Sequence, residues 1–312
     1  MSRTLGSPPP VAAPGFETGA AFVGGERVPI GEATISILDT GFSRSDVTYD
    51  VVGVWNGAFF RLDDHLARFE RSCAELRLTL PYSREEMTEI LLDLVRISGL
   101  RESYVEVLCT RGVPPAGSRD PRTFQNRFYA YAIPYVWVLR PEDAETGMDA
   151  VIARTVQRIP TASVDPTVKN FHWGDLTRGL YEAYDRGARY PILLDGQGNV
   201  AEGPGFNVFA LVDGRLLTPE SGALEGITRK TVMELAAEEG IPVEACVISE
   251  AEFRRGAELF ATTTAGGVMP ITSLDGEPVG DGKVGPVTRR LRDAYWAAHD
   301  DPRYITPVHY SA

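Results

Sequence analysis

Three stretches carry residues whose types and spacing could do chemistry. Lys169 lies in DPTVKNFHWGD, beside Val168, Phe171 and Trp173. An amine among such neighbours can shed its charge and attack a carbonyl. A lysine that snorkels from a loop has the same surroundings. Gly226-Ile227-Thr228-Arg229-Lys230 opens a helical pattern, and free N–H groups at a helix N-terminus bind a phosphate dianion. Thr262-Thr263-Thr264-Ala265-Gly266-Gly267 ends a β-rich run, and its hydroxyls and glycine backbone suit the same anion. Glu202 precedes the turn Gly203-Pro204-Gly205. A buried carboxylate there could keep an aromatic ring nitrogen protonated, whereas an ordinary turn glutamate would do nothing.

Other chemistries find no support. The sequence lacks GxxxxGK[ST], HExxH, GxSxG and a GxGxxG after a strand. His65, His172, His299 and His309 do not pair at metal-ligand spacing, and Cys73, Cys109 and Cys246 form no CxxC, so no metal site is expected. Those thiols read as buried and reduced, and with no signal-peptide pattern at the start they suggest a cytoplasmic protein. The formal net charge of -12 argues against nucleic acid and against an anionic membrane as partners. Tyr129–Leu139, the most apolar stretch, is too short to span a bilayer.

The elements that must position these residues follow from patterning. With 312 residues, 43% of them hydrophobic, the chain suits two moderate domains. Residues 1–20, rich in Pro, Gly and Ala, read as a flexible arm. Residues 21–139 read as a small α+β domain. It has a hairpin over 21–30 and a second one turning at Asn56-Gly57. A helix capped by Asp63 and Asp64 runs to about Leu78, and another opens at the capping box Ser83–Glu86 with Met87, Ile90, Leu91, Leu94 and Val95 on one face. Strands over 103–111 and 127–139 complete it. The polar stretch 140–147 reads as a linker, and 148–312 as a larger α/β domain. That domain has strands over 148–157, 190–195, 207–212, 215–218, 243–248 and 258–263, with helices over 176–186, 228–239 and 287–299. Fold class is thus α/β of the mixed α+β kind.

Taken in order, the motifs resemble fold-type IV pyridoxal-phosphate enzymes, the branched-chain/D-amino-acid aminotransferase class. The likeness rests on Arg68 in DDHLARF, Lys169 in PTVKN, Glu202 in EGPGFN, Leu224, Ile227 and Thr228 in LEGITRK, and Thr264 in TTAGG, and it covers the chain from about residue 20 onward. It implies two domains with pyridoxal 5'-phosphate between them, usually in a homodimer whose partner loop completes each site. It also implies roles. Lys169 would carry the cofactor and shuttle the substrate proton. Glu202 would bind the ring nitrogen, and Leu224 would pack on the ring. Arg68, the Ile227 and Thr228 backbone and Thr264 would hold the phosphate.

Within that class, SDVTYDVVGVWNGAFFRLDDHL, PTVKNFHWGDLTRGLYEAYDRGARYP and TTAGGVMPITSLDGEPV are similar to the (R)-selective amine transaminases. Such enzymes pass the amino group of an (R)-amine to pyruvate, a 2-oxo acid, by way of pyridoxamine phosphate. The resemblance puts Tyr49, Tyr104 and Trp173 in the substrate pocket. The chain departs from the group at Arg44, where a histidine is usual, and in the loop VPPAGSRDP, where Arg119 is displaced from the arginine expected to meet the acceptor carboxylate. Arg44, supplied by a partner subunit, is the candidate replacement. That departure keeps D-amino-acid or branched-chain amino-acid transamination open, with an aminodeoxychorismate lyase as a further alternative.

Overall fold

A computed structural model describes residues 11–310. The chain forms two compact units. One comprises the residues up to Val136 together with those from Pro302 onward, and the other is Trp137–Asp301. Each has its own sheet, seven strands in the first and nine in the second, with helices alongside.

The first unit runs β1 (Ala20–Val23), β2 (Glu26–Pro29), α1 (Thr40–Arg44), β3 (Val47–Trp55), β4 (Ala58–Phe60), α2 (Leu62–Glu75), α3 (Arg84–Ser98), β5 (Ser103–Thr110) and β6 (Arg127–Pro134). The C-terminal strand Ile305–Pro307 pairs with β4, so the sheet order is C-terminal strand-β4-β3-β5-β6-β1-β2. Residues from 302 onward, placed by the sequence reading with the second half, therefore belong here. Side chains alternate across a sheet. Val52, Val54, Val105, Val107, Cys109, Phe128 and Ala130 face the core shared with Leu66, Phe69, Met87, Leu91 and Val95 of α2 and α3. Tyr49, Tyr104, Glu106 and Tyr131 fall on the opposite face by the same alternation.

Three local expectations shift. The first ten residues of the expected flexible arm lie outside the described residues. Beyond them the chain is anchored, because the Ala13 N–H donates to the Ile97 carbonyl at 2.8 Å and Phe16 packs on the core. Helix α2 is entered from Arg61 in the left-handed conformation, and Asp63 and Asp64 occupy its first turn instead of capping it. There they still favour the positive end of the helix dipole. Strand β6 stops at Pro134, which has no N–H to donate. The Ser83 capping box forms as its spacing requires.

The second unit runs β7 (Met148–Ile152), α4 (Gly174–Asp185), β8 (Tyr190–Leu194), β9 (Val200–Glu202), β10 (Asn207–Val212), β11 (Arg215–Pro219), α5 (Ile227–Glu238), β12 (Val243–Cys246), α6 (Glu250–Arg254), β13 (Glu258–Thr263), β14 (Gly267–Leu274), β15 (Glu277–Pro278) and α7 (Pro286–Ala297). Its sheet order is β12-β11-β10-β13-β14-β7-β8-β9, with β15 hairpinned onto β14. The unexpected element is β14. It starts at Gly267 inside what reads as a glycine turn, and Pro270 disguises it further. It nonetheless bridges β13 on one side and β7 on the other. The stretch 140–147 is not a free linker. Glu145 pairs with Arg289 and Arg292, which draws it into the second unit.

Inside the first unit, Asp50 on β3 is buried against α2. Its carboxylate accepts from Arg68 Nε at 2.7 Å and Nη2 at 2.8 Å, and from His65 Nδ1 at 2.8 Å. Burial works against this charge, yet the Arg68 guanidinium and the His65 hydrogen bond hold the Asp50 carboxyl well below its ordinary value of 3.8. A carboxyl depressed in the folded state stabilises fully above its unfolded value, and the gain is lost as pH falls below about 4. Asp50→Asn removes the buried carboxylate that Arg68 and His65 face. It should cost about 3–5 kcal/mol of unfolding free energy at neutral pH. In urea titrations at pH 7 and pH 3 the difference from the parent should shrink at the lower pH.

Candidate active site

The second unit gathers most of the predicted residues. Between β7 and α4 the chain leaves regular structure, which ends β7 at Ile152 well short of residue 157. It still touches the edge of β8, through Ala153 N–H on Ile192 O and Arg158 N–H on Leu194 O, each at 2.9 Å. Lys169 sits in this stretch between two local turns. The Asp165 carboxylate accepts from the Thr167 N–H at 2.9 Å, and the Asn170 side chain accepts from the His172 N–H at 2.9 Å while donating to Val168 O at 2.8 Å. Short polar side chains of this kind fix a loop by mimicking backbone turns. Lys169 itself is half-buried.

Glu202 ends β9 and is buried at 7% exposure. Its Oε1 accepts from Arg158 Nε at 3.1 Å and Nη2 at 2.9 Å, and its Oε2 accepts from the Leu224 N–H at 3.0 Å. Burial pushes this carboxyl above its ordinary range, while Arg158, the Leu224 N–H and the charge of Lys169 pull it back. Both oxygens accept in these contacts, which is the geometry of a carboxylate. Arg158 is shared with Asp175 at the start of α4, whose Oδ2 takes Nη1 and also accepts from the Ile159 N–H at 2.9 Å. The tight turn after Glu202 needs its glycines. A Cβ on Gly203 would lie 2.1 Å from the Phe206 ring, and Gly205 has φ +78°.

Leu224 ties this carboxylate to a helix start. Its N–H points to Glu202, and its carbonyl accepts from Asn207 Nδ2 and from the Gly226 N–H, both at 2.8 Å. Helix α5 then begins at Ile227 with no side chain capping its first N–H groups. A Cβ on Gly226 would stand 2.1 Å from Asn207 Oδ1, so only glycine lets the strand and the helix start approach this closely. Thr228 Oγ1 meets Tyr295 Oη at 3.5 Å, and the Tyr295 ring lies where a Cβ on Gly267 would be, 2.7 Å away. That contact links α5 to the 264–267 turn, in which Thr264 is half-buried. Asn207 and Thr262 are directly opposed across β10 and β13, so their side chains leave the sheet on one face. Thr262 Oγ1 is fully buried and has no hydrogen-bond partner. An uncapped helix start and an orphaned hydroxyl fit an anion that would satisfy them.

Lys169, Glu202, Leu224, Ile227, Thr228, Thr264 and Trp173 thus all lie in the second unit. Arg68, Tyr49, Tyr104 and Arg44 lie in the first. Arg68 is a buried partner of Asp50, not an exposed helix arginine. Tyr104 and Tyr131 hydrogen-bond Glu106 at 3.3 and 2.8 Å. Burial, then the Glu106 charge, raises both phenols, so they stay protonated. Arg44 and Arg119 are exposed. Sequence reasoning missed Arg158, Asp175, Asn207 and Tyr295. Asp175 reads as a helix-start acid and Arg158 as a loop cation, and their pairing across the loop leaves no local signal.

An amine, a buried carboxylate and an anion-ready helix start in one unit can hold a cationic aromatic nitrogen and a phosphate and can move a proton. The comparisons agree with that inventory. Residues 48–274 match the family model of the amino-transferases of class IV. A putative branched-chain-amino-acid aminotransferase of Methanocaldococcus jannaschii is 30% identical over 88% of this chain and 94% of its own length. A D-alanine aminotransferase of Staphylococcus haemolyticus is 31% identical over 88% of this chain and 95% of its own. The branched-chain amino acid aminotransferase of Escherichia coli superposes with a TM-score of 0.88 at 27% identity, covering 94% of this chain and all of that one. That of Thermobaculum terrenum, solved in its PLP form, gives 0.84 at 29% identity, covering 94% of this chain and 99% of that one. The chain belongs to the class IV aminotransferases.

Proposed function

We propose that the protein is a pyridoxal 5'-phosphate transaminase that passes the amino group of an amino acid, of the D-alanine or branched-chain type, to a 2-oxo acid. The observation that carries this is Glu202, a buried carboxylate tied through Leu224 to the open start of α5 and standing within the field of Lys169. Relatives that act on D-alanine and on branched-chain amino acids support the donor class. When bound, the cofactor supplies an aldehyde that accepts the amino group and a ring that takes up the electrons left on the substrate carbon. Glu202 would hold a proton at the ring nitrogen. The Ile227 and Thr228 N–H groups, the Thr228 hydroxyl and Thr264 would bind the phosphate. Leu224 would pack on the ring. Lys169 would hold the cofactor through Nζ and would serve as the base that takes the proton from the donor's α-carbon.

A second reading is favoured by the first unit. Tyr49, Tyr104, Tyr131 and Glu106 share one sheet face, on which the carboxylate stands among phenols and Arg127 lies at the other end of β6. Such an aromatic face would favour an uncharged arylalkyl group, as in an (R)-amine donor with pyruvate as acceptor. An absorbance titration of the holoenzyme separates the readings. Loss of the long-wavelength band with D-alanine or L-leucine supports the amino-acid donor. Loss only with (R)-1-phenylethylamine, and acetophenone released, supports the amine donor. A band that no donor changes points to the lyase alternative, and Lys169→Ala should abolish the band.

We also propose a homodimer. Ile37, Leu38 and Phe42 are 76%, 65% and 67% exposed on one short segment. A contiguous apolar surface of this kind marks an interface, and a twofold copy covers it with itself. Phe42→Asp should give a monomer in sedimentation equilibrium. Arg44 closes the same segment, and we assign it to the acceptor carboxylate of the partner's site. Arg44→Ala should raise KM for pyruvate and D-alanine about tenfold or more, the loss of one charge-assisted contact, and leave KM for an arylalkyl amine nearly unchanged. Equal effects on both substrates would remove Arg44 from this role. The free cysteines Cys73, Cys109 and Cys246 support a reducing cytoplasm. No helix among the described residues is long and apolar enough to cross a membrane.

A further inference from the structure

Arg158 creates an electrostatic problem for the carboxylate it holds. A lone buried carboxylate stabilises a cation beside it. A carboxylate already paired with a guanidinium is close to neutral and has little field left to offer. Arg158 Nε and Nη2 both engage Glu202 Oε1. Taken alone, that pair would be a poor partner for a protonated ring nitrogen.

Asp175 changes the count. Its Oδ2 accepts from Arg158 Nη1 and from the Ile159 N–H, and its Oδ1 accepts from the Leu176 N–H at 2.8 Å. Every one of these contacts has the carboxyl accepting, the hydrogen-bond pattern of a carboxylate. It is 9% exposed, and the Arg158 and Glu202 side chains are about as deeply buried. Two carboxylates against one guanidinium leave a single negative charge in the buried chain. Lys169, whose charge acts on Glu202, is the neighbouring cation. Once its amine is engaged as an uncharged nucleophile, the chain's negative charge has no other counter-ion among these groups.

We infer that Asp175 is a positioning residue that neutralises Arg158, so that the Asp175–Arg158–Glu202 chain presents one net negative charge and keeps the ring nitrogen of the cofactor protonated. This rests on the pyridoxal-phosphate reading given above. Arg158 then serves as an orienting clamp: it fixes the Glu202 carboxylate by two donors without cancelling its charge, because Asp175 returns what Arg158 removes. Asp175 also sits at the start of α4, directly after the stretch that bears Lys169, so the same contact joins the two ends of the chemistry.

The test is the ring-nitrogen NMR shift of 15N-labelled pyridoxal phosphate bound to the full-length protein, read beside cofactor affinity. The parent should show a protonated ring nitrogen. Asp175→Asn should lower the pH at which that nitrogen loses its proton by at least about one unit, equivalent to tenfold weaker proton holding. Asp175→Glu should restore the parent shift. The double variant Asp175→Asn with Arg158→Met removes the cation along with the anion and leaves Glu202 alone with one negative charge. It should recover protonation even where the single variant is too unstable to study. A merely structural Asp175 predicts the reverse, a double variant worse than the single one. An unchanged ring-nitrogen shift in Asp175→Asn, or no recovery in the double variant, overturns the inference. A parent that binds no pyridoxal phosphate at all overturns the functional reading instead.

Discussion

Arg158 is the group on which the second unit's site depends. It is buried between the carboxylates of Glu202 and Asp175 and comes from the irregular stretch after β7. Burying three charges is costly, and such a cluster is tolerated only when every donor and acceptor is matched. Here the matching is close to complete. Glu202 also takes a backbone N–H from Leu224, Asp175 takes those of Ile159 and Leu176, and the Arg158 backbone is fixed on β8. The consequence is mechanical. Stretch 153–173 has no ladder of its own, yet it is held at both ends, by β8 and by α4. Removing Arg158 would strand both carboxylates, whereas removing either carboxylate leaves the other still paired with the guanidinium.

The first unit uses the same device with different members. Asp50 on a strand is clamped by Arg68 and His65 from the adjoining helix. In both units the acid is carried by a strand. A strand fixes side-chain direction by alternation, and the cationic partner arrives from a neighbouring element. Both arginines engage their carboxylates with Nε and Nη2. The planar guanidinium makes that geometry specific, which a lysine could not do. Charge burial in this chain is therefore a way of fixing orientation more than a source of net stability.

Much of this was legible in the sequence, and what was not has identifiable causes. The Ser83 capping box, the Asn56-Gly57 turn and the apolar face from Met87 to Val95 are local patterns, and local patterns determine local structure. Strand β14 was hidden because Gly266-Gly267 and Pro270 are turn signals, overridden by pairing on both edges. Asp63 and Asp64 are good caps, but the chain enters α2 from the hairpin through a left-handed Arg61, which leaves them no capping position. Lys169, Glu202 and the start of α5 were legible because each sits in a distinctive short motif. Arg158 and Asp175 were not, because neither residue has meaning without the other. Asn207 gave no hint that it would brace Leu224, since that contact crosses from a strand to a loop.

The division of labour between rigid and irregular backbone follows from what each group must do. In the proposed function Glu202 holds one position against a ring, and it ends a strand with both oxygens engaged. The start of α5 must keep its N–H groups open, and it is pinned through Leu224 and Asn207 while no side chain caps it. In the proposed function Lys169 has the opposite task, since a proton carrier must reach more than one atom. It stands outside any helix or strand, between the side-chain turns of Asp165 and Asn170. A lysine on a strand would be limited to one direction by alternation, and one on a helix would be limited by the turn below it. The Asp175–Arg158–Glu202 chain reconciles the two demands. It anchors the irregular segment beside the fixed carboxylate, and Lys169 itself lies outside any helix or strand.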